Sequence, residues 1–91
     1  MSALAPLPGY NHDLPFRGGR FHLQTEALVS SGKVESVLFC RGAVVCRRLI
    51  VYAAGDSSDR VVEMMKSQHM EMMRALKKGE FKKEIDALRE S

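Results

Sequence analysis

Residues 34–53, which read VESVLFC-RG-AVVCRRLIVYA, decide the fold of this chain. Both runs are rich in β-branched and aromatic residues, which favour extended strands. The pair Arg41-Gly42 stands between them, and a short glycine-containing link between two such runs is typical of a tight hairpin turn. The stretch therefore predicts an antiparallel β-hairpin.

The register of this hairpin depends on the length of its loop. With a two-residue loop, Cys46 faces Val37 and Cys40 points to the opposite face of the sheet. A three-residue loop places the two cysteines diagonally instead. In neither register are they directly opposed, so we expect two small buried side chains without a disulfide.

A second hairpin is predicted upstream, where Gly18-Gly19 separates two further extended runs. Pro15 cannot donate a backbone hydrogen bond, so the first strand is expected at an edge of the sheet. The residues 30–33 form the turn between the two hairpins. Every connection is too short for a helical crossover, so all strand pairs should be antiparallel.

Beyond Gly55 the apolar period changes from two to about 3.6 residues, which indicates an amphipathic helix. Ser57 or Ser58 can cap its first turn, and Gly79 suits its C-terminal end. Met70 falls on the side opposite the apolar arc. The arc spans roughly 120° and contains Val61, Val62, Met65, His69, Met72, Met73 and Leu76.

A second, short helix is predicted next, with Phe81, Ile85 and Leu88 on one side. The expected fold is α+β: a four-stranded antiparallel β-meander, one long amphipathic helix packed on one face, and a short C-terminal helix. Residues 1–9 are expected to form a flexible tail and residues 10–91 a single domain. A core this small is marginal by itself, which favours a homodimer.

The composition excludes several classes of protein. With 45% hydrophobic and 27% charged residues, the 91-residue chain has ordinary globular usage rather than that of a disordered chain. No uncharged apolar stretch approaches the roughly 20 residues that span a bilayer. The first residues do not resemble a secretory signal and two cysteines do not make a disulfide scaffold, so a cytoplasmic location is expected.

The net charge of +3 lies entirely in the first part of the chain, where residues 1–54 carry six basic and three acidic groups. Five of the six are arginines, whose planar guanidinium suits carboxylates and phosphates. An anion-binding surface is therefore one hypothesis, and a solvated sheet face is the other. The candidate residues are Arg17, Arg20, Arg41, Arg47 and Arg48.

His69 is the most informative single residue, because it lies inside the arc that should pack against the sheet. A buried imidazole needs partners for its ring nitrogens, and burial should lower its pKa because it disfavours the charged form. We therefore expect a structural histidine or a pH-sensitive switch. His12, Asp13 and His22 are a possible metal trio on neighbouring strands. Nothing in their spacing matches a known metal site, and no metal or other cofactor is predicted.

No catalytic motif is present: the chain lacks a nucleophile elbow, a phosphate-binding loop and a dinucleotide fingerprint. An enzyme is therefore not expected. The favoured hypothesis is a protein-interaction or regulatory module, with another protein or a second copy of the chain as partner. The alternative is an anion or nucleic-acid binding module that uses the arginines of the β half.

One resemblance carries further expectations. The segments FHLQTE, at residues 21–26, and QHMEM, at residues 68–72, resemble the FH(L/V)QTE and QHxxM elements of a small uncharacterised bacterial domain family. The resemblance extends over about residues 9–82. It implies a bacterial cytoplasmic protein with strands before helices, and it brings no activity, cofactor or catalytic residue.

Overall fold

A computed structural model of the chain describes residues 9–90. The four strands are β1 (Tyr10–Phe16), β2 (Gly19–Leu28), β3 (Lys33–Cys40) and β4 (Ala43–Val51), and the helices are α1 (Ser58–Lys77) and α2 (Lys82–Glu90). The predicted α+β order is confirmed. The predicted tail, residues 1–9, lies outside the described residues apart from Gly9.

The sheet is a simple meander with the strand order β1-β2-β3-β4, and every neighbouring pair is antiparallel. β1 and β4 are therefore the two edges. Pro15 lies in β1, as predicted, and its missing N–H leaves no gap within the sheet.

Both hairpins close through Arg-Gly turns at the same end of the sheet. Arg17 and Gly18 have φ values of 47° and 79°, and Arg41 and Gly42 have φ values of 53° and 81°. Two successive residues with positive φ match the right-handed twist of the flanking strands. The first turn thus lies one residue earlier than predicted, and Gly19 already belongs to β2.

A β-bulge in β4 changes the predicted register of the cysteines. Phe39 pairs with Val44, as a two-residue loop requires, but Leu38 pairs with Cys46 because Val45 is inserted. The prediction that Cys46 faces Val37 is therefore wrong. Cys40 and Cys46 lie on the same face, and both pack against the core as free thiols.

Helix α1 covers one face of the sheet and contacts β1, β2 and β3. Its buried residues are Val61, Met65, Gln68, His69, Met72, Ala75 and Leu76. The predicted arc is correct for its central members, whereas Val62 and Met73 are only half-buried. Gln68 is buried although the arc did not include it. Met70 is 57% exposed, as predicted.

The core consists of two clusters between helices and sheet. The larger one combines sheet and helix residues around Leu23, Leu38 and Met72, and the smaller one contains Val34, Val61 and Met65. Polar side chains lie between them on the same face of the sheet.

Helix α2 closes the larger cluster at the β4 side of the sheet. Phe81 and Ile85 are buried and Leu88 is half-buried against that cluster, which confirms the predicted apolar side. The guanidinium of Arg48 lies 5.7 Å from the centre of the Phe81 ring. This cation–π contact ties β4 to the start of α2.

The first turn of α1 provides a matched pair of variants. Ser57 is the N-cap and accepts a hydrogen bond from the Arg60 backbone N–H over 3.2 Å. Ser57→Ala should lower the free energy of unfolding by about 1 kcal/mol in urea titrations followed by circular dichroism. Ser58→Ala should change it little, because Ser58 is already inside the helix. Equal losses in the two variants would contradict this capping assignment.

Candidate functional site

A chain of five polar side chains lies between α1 and the sheet. His12 comes from β1, Thr25 from β2 and Ser36 from β3, and α1 contributes Gln68 and His69. Thr25 and Ser36 are direct cross-strand partners, which brings their hydroxyl groups together on the face that α1 covers. We call these five residues the polar chain.

The members of the polar chain are joined by short hydrogen bonds. His12 Nδ1 lies 2.7 Å from His69 Nε2, and His69 Nδ1 lies 2.8 Å from Thr25 Oγ1. Thr25 Oγ1 is 2.6 Å from Ser36 Oγ, which is 3.0 Å from Gln68 Nε2. Among the described residues no buried side-chain nitrogen or oxygen lacks a partner.

The side-chain amide of Gln68 sets the direction of these hydrogen bonds. Its Nε2 group also lies 3.4 Å from the carbonyl oxygen of Val34 and 3.3 Å from that of Arg48. Carbonyl oxygens only accept, so this group is the NH₂ of the amide and donates to Ser36. Ser36 must then donate to Thr25, because its hydroxyl contacts no other acceptor among the residues that the structure describes.

This direction determines the tautomer of His69. The Thr25 hydroxyl, having accepted from Ser36, donates to Nδ1 of His69. The imidazole proton therefore resides on Nε2, from which it is donated to Nδ1 of His12. A second proton on Nδ1 would occupy the position to which the Thr25 hydroxyl donates, and one hydroxyl proton of the Thr25–Ser36 pair would then lack an acceptor.

Burial reinforces the neutral state of His69, which is only 3% exposed. Desolvation lowers the pKa of His69 below the ordinary value of 6.5, and the electrostatic interactions with His12 and with His22 lower it further. The direction predicted from the sequence is confirmed.

The polar chain has one contact with solvent. Thr25 and Ser36 are completely buried, whereas His12 is exposed on the edge strand. The principal surface cavities of the described residues are lined by other side chains. The Ser36 hydroxyl is therefore shielded from solvent, and its contacts join the helix to the sheet.

The proposed metal trio is not brought together. His12 points to the face that α1 covers, whereas His22 is bonded to Asp13 over 2.8 Å and to Asn11 over 3.2 Å on the open face. Residues 9–90 contain no group of three or more side chains able to hold a metal ion.

The five candidate arginines are distributed over three locations. Arg47 pairs with Glu35 on the open face, and Arg20 is exposed on that face. Arg48 lies on the opposite face against Phe81, because adjacent strand residues alternate. Arg17 and Arg41 occupy the two hairpin turns. The candidates therefore do not form one common surface.

Sequence reasoning found His69 but missed Thr25, Ser36 and Gln68. Thr25 and Ser36 carry a weak signal, because each is a small polar residue at an inward position of an otherwise apolar strand face. Gln68 carries no such signal, because its position on the helix is only at the margin of the apolar arc.

Comparisons of the chain with protein-family models, with curated proteins and with solved structures find no match. Among the described residues, neither helix combines the length and the apolar character needed to cross a membrane.

The contribution of the polar chain to stability can be measured by substituting Thr25. Thr25→Val keeps the shape but leaves the proton of the Ser36 hydroxyl without an acceptor and Nδ1 of His69 without a donor. We expect the free energy of unfolding in urea to fall by about 1–3 kcal/mol.

The matched control is Thr25→Ser, which keeps the hydroxyl. Nitrogen-15 NMR of the imidazole should find the Nε2–H tautomer of His69 in the wild type and in Thr25→Ser. A Thr25→Val variant that is as stable as the wild type and has the same His69 tautomer would contradict the direction assigned to the hydrogen bonds of the polar chain.

The lowered pKa of His69 predicts a pH-dependent stability. The unfolded chain binds the proton more tightly, so protonation favours unfolding, and stability should fall as the pH drops below about 6.5. Urea midpoints between about pH 8 and pH 5 should show this slope in the wild type, slightly less of it in His22→Gln, which removes the smallest cause of the shift, and the least in His69→Gln. An unchanged slope in His69→Gln would assign the effect to other groups.

Proposed function

We propose that this chain is a non-enzymatic protein-interaction module that forms a homodimer through strand β4. The single observation that carries the proposal is the difference between the two edges of the sheet. The β1 edge carries a proline and polar residues, whereas the last three residues of β4 are apolar and exposed.

The β1 edge is protected. It contains Pro15, which cannot donate to a neighbouring strand, and the exposed polar residues Asn11, His12 and Asp13. Proline and polar groups on an edge strand discourage pairing with another chain.

The C-terminal end of the β4 edge, beyond the bulge and the two arginines, is apolar. Four of the nine residues in β4 are large exposed hydrophobic side chains: Val44 at 54%, Leu49 at 48%, Ile50 at 38% and Val51 at 71%. Three of them are consecutive, so both faces of the strand are apolar there. An edge of this kind is a template for adding another strand.

A second copy of β4 fits this edge with two-fold symmetry. In antiparallel pairing centred on Ile50, Leu49 of each copy lies opposite Val51 of the other, on the open face of a continuous eight-stranded sheet. The register keeps Arg47 and Arg48 of the two copies apart. Cross-strand apolar pairs of this kind contribute about 0.2–1 kcal/mol each.

The anion and nucleic-acid alternative has weaker support on the sheet. Arg47 is engaged by Glu35 and Arg48 by Phe81, on opposite faces. A nucleic-acid surface needs cations and stacking aromatic residues on one face. The resemblance to a bacterial domain family supports a cytoplasmic setting for the module, and the free thiols of Cys40 and Cys46 are compatible with it.

Dimer formation can be tested by light scattering coupled to size-exclusion chromatography. The wild-type chain should elute as a dimer, and Val51→Lys should shift it to the monomer, because each lysine would be placed against Leu49 of the other copy. A monomeric wild type at the highest accessible concentration would contradict the proposal.

Met70→Lys is the matched control, because Met70 is similarly exposed but lies on the outer side of α1. This variant should remain dimeric. Dissociation by Met70→Lys with a dimeric Val51→Lys would place the interface on α1 and overturn the β4 assignment.

A further inference from the structure

The arginines of the two hairpin turns lie near further positive charges that belong to helix α2. Helix α2 lies at the end of the sheet where both Arg-Gly turns are found, and it contributes Lys82 and Arg89 to the cavities there. We call Arg17, Arg41, Lys82 and Arg89 the cationic rim.

The residues of the cationic rim line two adjoining cavities. The first has a volume of about 120 Å³ and is lined by Arg17, Lys82 and Arg89 over an apolar floor of Phe16, Phe21 and Ile85. The second has a volume of about 220 Å³ and is lined by Arg41 and Arg89. Ile85 and Arg89 line both, so α2 forms the partition between them.

The charges of the rim are poorly compensated. Within residues 9–89, whose side chains the structure describes, Asp86 is the one carboxylate that lines either cavity, and it lies 3.6 Å from Lys82. In the part of the chain that the structure describes, Arg17, Arg41 and Arg89 form no ion pair. Like charges around one apolar cavity repel each other unless an anion joins them.

The two turns carry a second indication. Arg17 and Arg41 have φ values of 47° and 53°, a backbone conformation that residues other than glycine, asparagine and aspartate rarely adopt. Asparagine-glycine is the favoured pair for such a turn. Arginine at the same position of both turns is therefore unfavourable for the backbone conformation. The positive charge that it places at this end of the sheet is the simplest compensating advantage.

We propose that this end of the sheet binds a small organic anion with an apolar body, such as an aromatic carboxylate. The body fits the floor formed by Phe16, Phe21 and Ile85, and the carboxylate is held by Arg17 and Arg89 at the rim. Guanidinium groups bind carboxylates through two parallel N–H bonds. This site is separate from the apolar β4 edge and does not depend on dimer formation.

The test is a titration of the full nitrogen-15-labelled chain with benzoate, followed by NMR. Benzoate should shift the amide signals of Arg17, Gly79 and Ile85 in a saturable manner. Acetate, which has the charge alone, and benzyl alcohol, which has the ring alone, should bind at least about tenfold more weakly, because each lacks one half of the recognition.

Two variants remove rim charges without disturbing the fold. Arg89→Gln changes an exposed helix residue, and Arg17→Asn introduces the residue that the turn favours. Each should weaken benzoate binding by about tenfold. The control is Arg74→Gln, which removes an exposed arginine on α1 that pairs with Glu71 outside both cavities.

Three results would overturn the proposal. They are the absence of saturable shifts with benzoate, acetate binding as tight as benzoate binding, and an equal loss of affinity in Arg74→Gln. The first excludes a site, the second leaves only non-specific attraction of anions, and the third leaves only the net charge of the chain.

Discussion

The donation of a hydrogen bond by the Gln68 amide to the Ser36 hydroxyl is the interaction on which the rest of this structure depends. An amide NH₂ group cannot accept, so every hydroxyl and imidazole beyond it is assigned one role. The polar chain extends from α1 across three strands to the exposed His12. It therefore specifies how α1 sits on the sheet, whereas apolar contacts alone would tolerate sliding.

The same arrangement gathers reactive residue types at a buried position between α1 and the sheet. Histidine, threonine and serine are in hydrogen-bond contact, yet Thr25 and Ser36 are fully buried and no principal cavity reaches them. The proposed functions therefore concern two regions of the surface, the apolar end of the β4 edge and the cationic end of the sheet. The two locations involve different chemistry and can be tested independently.

A large part of the fold is predictable from local patterns. Alternation, β-branched residues and glycine turns indicate the four strands, and the change of period marks α1 together with its Ser57 cap. The bulge at Val45 is not predictable, because it changes pairing by one residue without a distinctive local sequence. It reverses the predicted face of Cys46 relative to Cys40. The candidate site was only partly predictable, since His69 was recognised and its partners were not.

The sequence by itself determined the α+β order, the antiparallel meander, the burial of His69 and the direction of its pKa shift. These follow from interactions between residues close in the chain and from the apolar periodicity. Only the tertiary structure decided that His69 joins Thr25 and His12, that Arg47 and Arg48 have separate partners, and that Arg17 and Arg41 flank α2. These contacts join residues far apart in sequence, and their geometry depends on how α1 and α2 pack on the sheet.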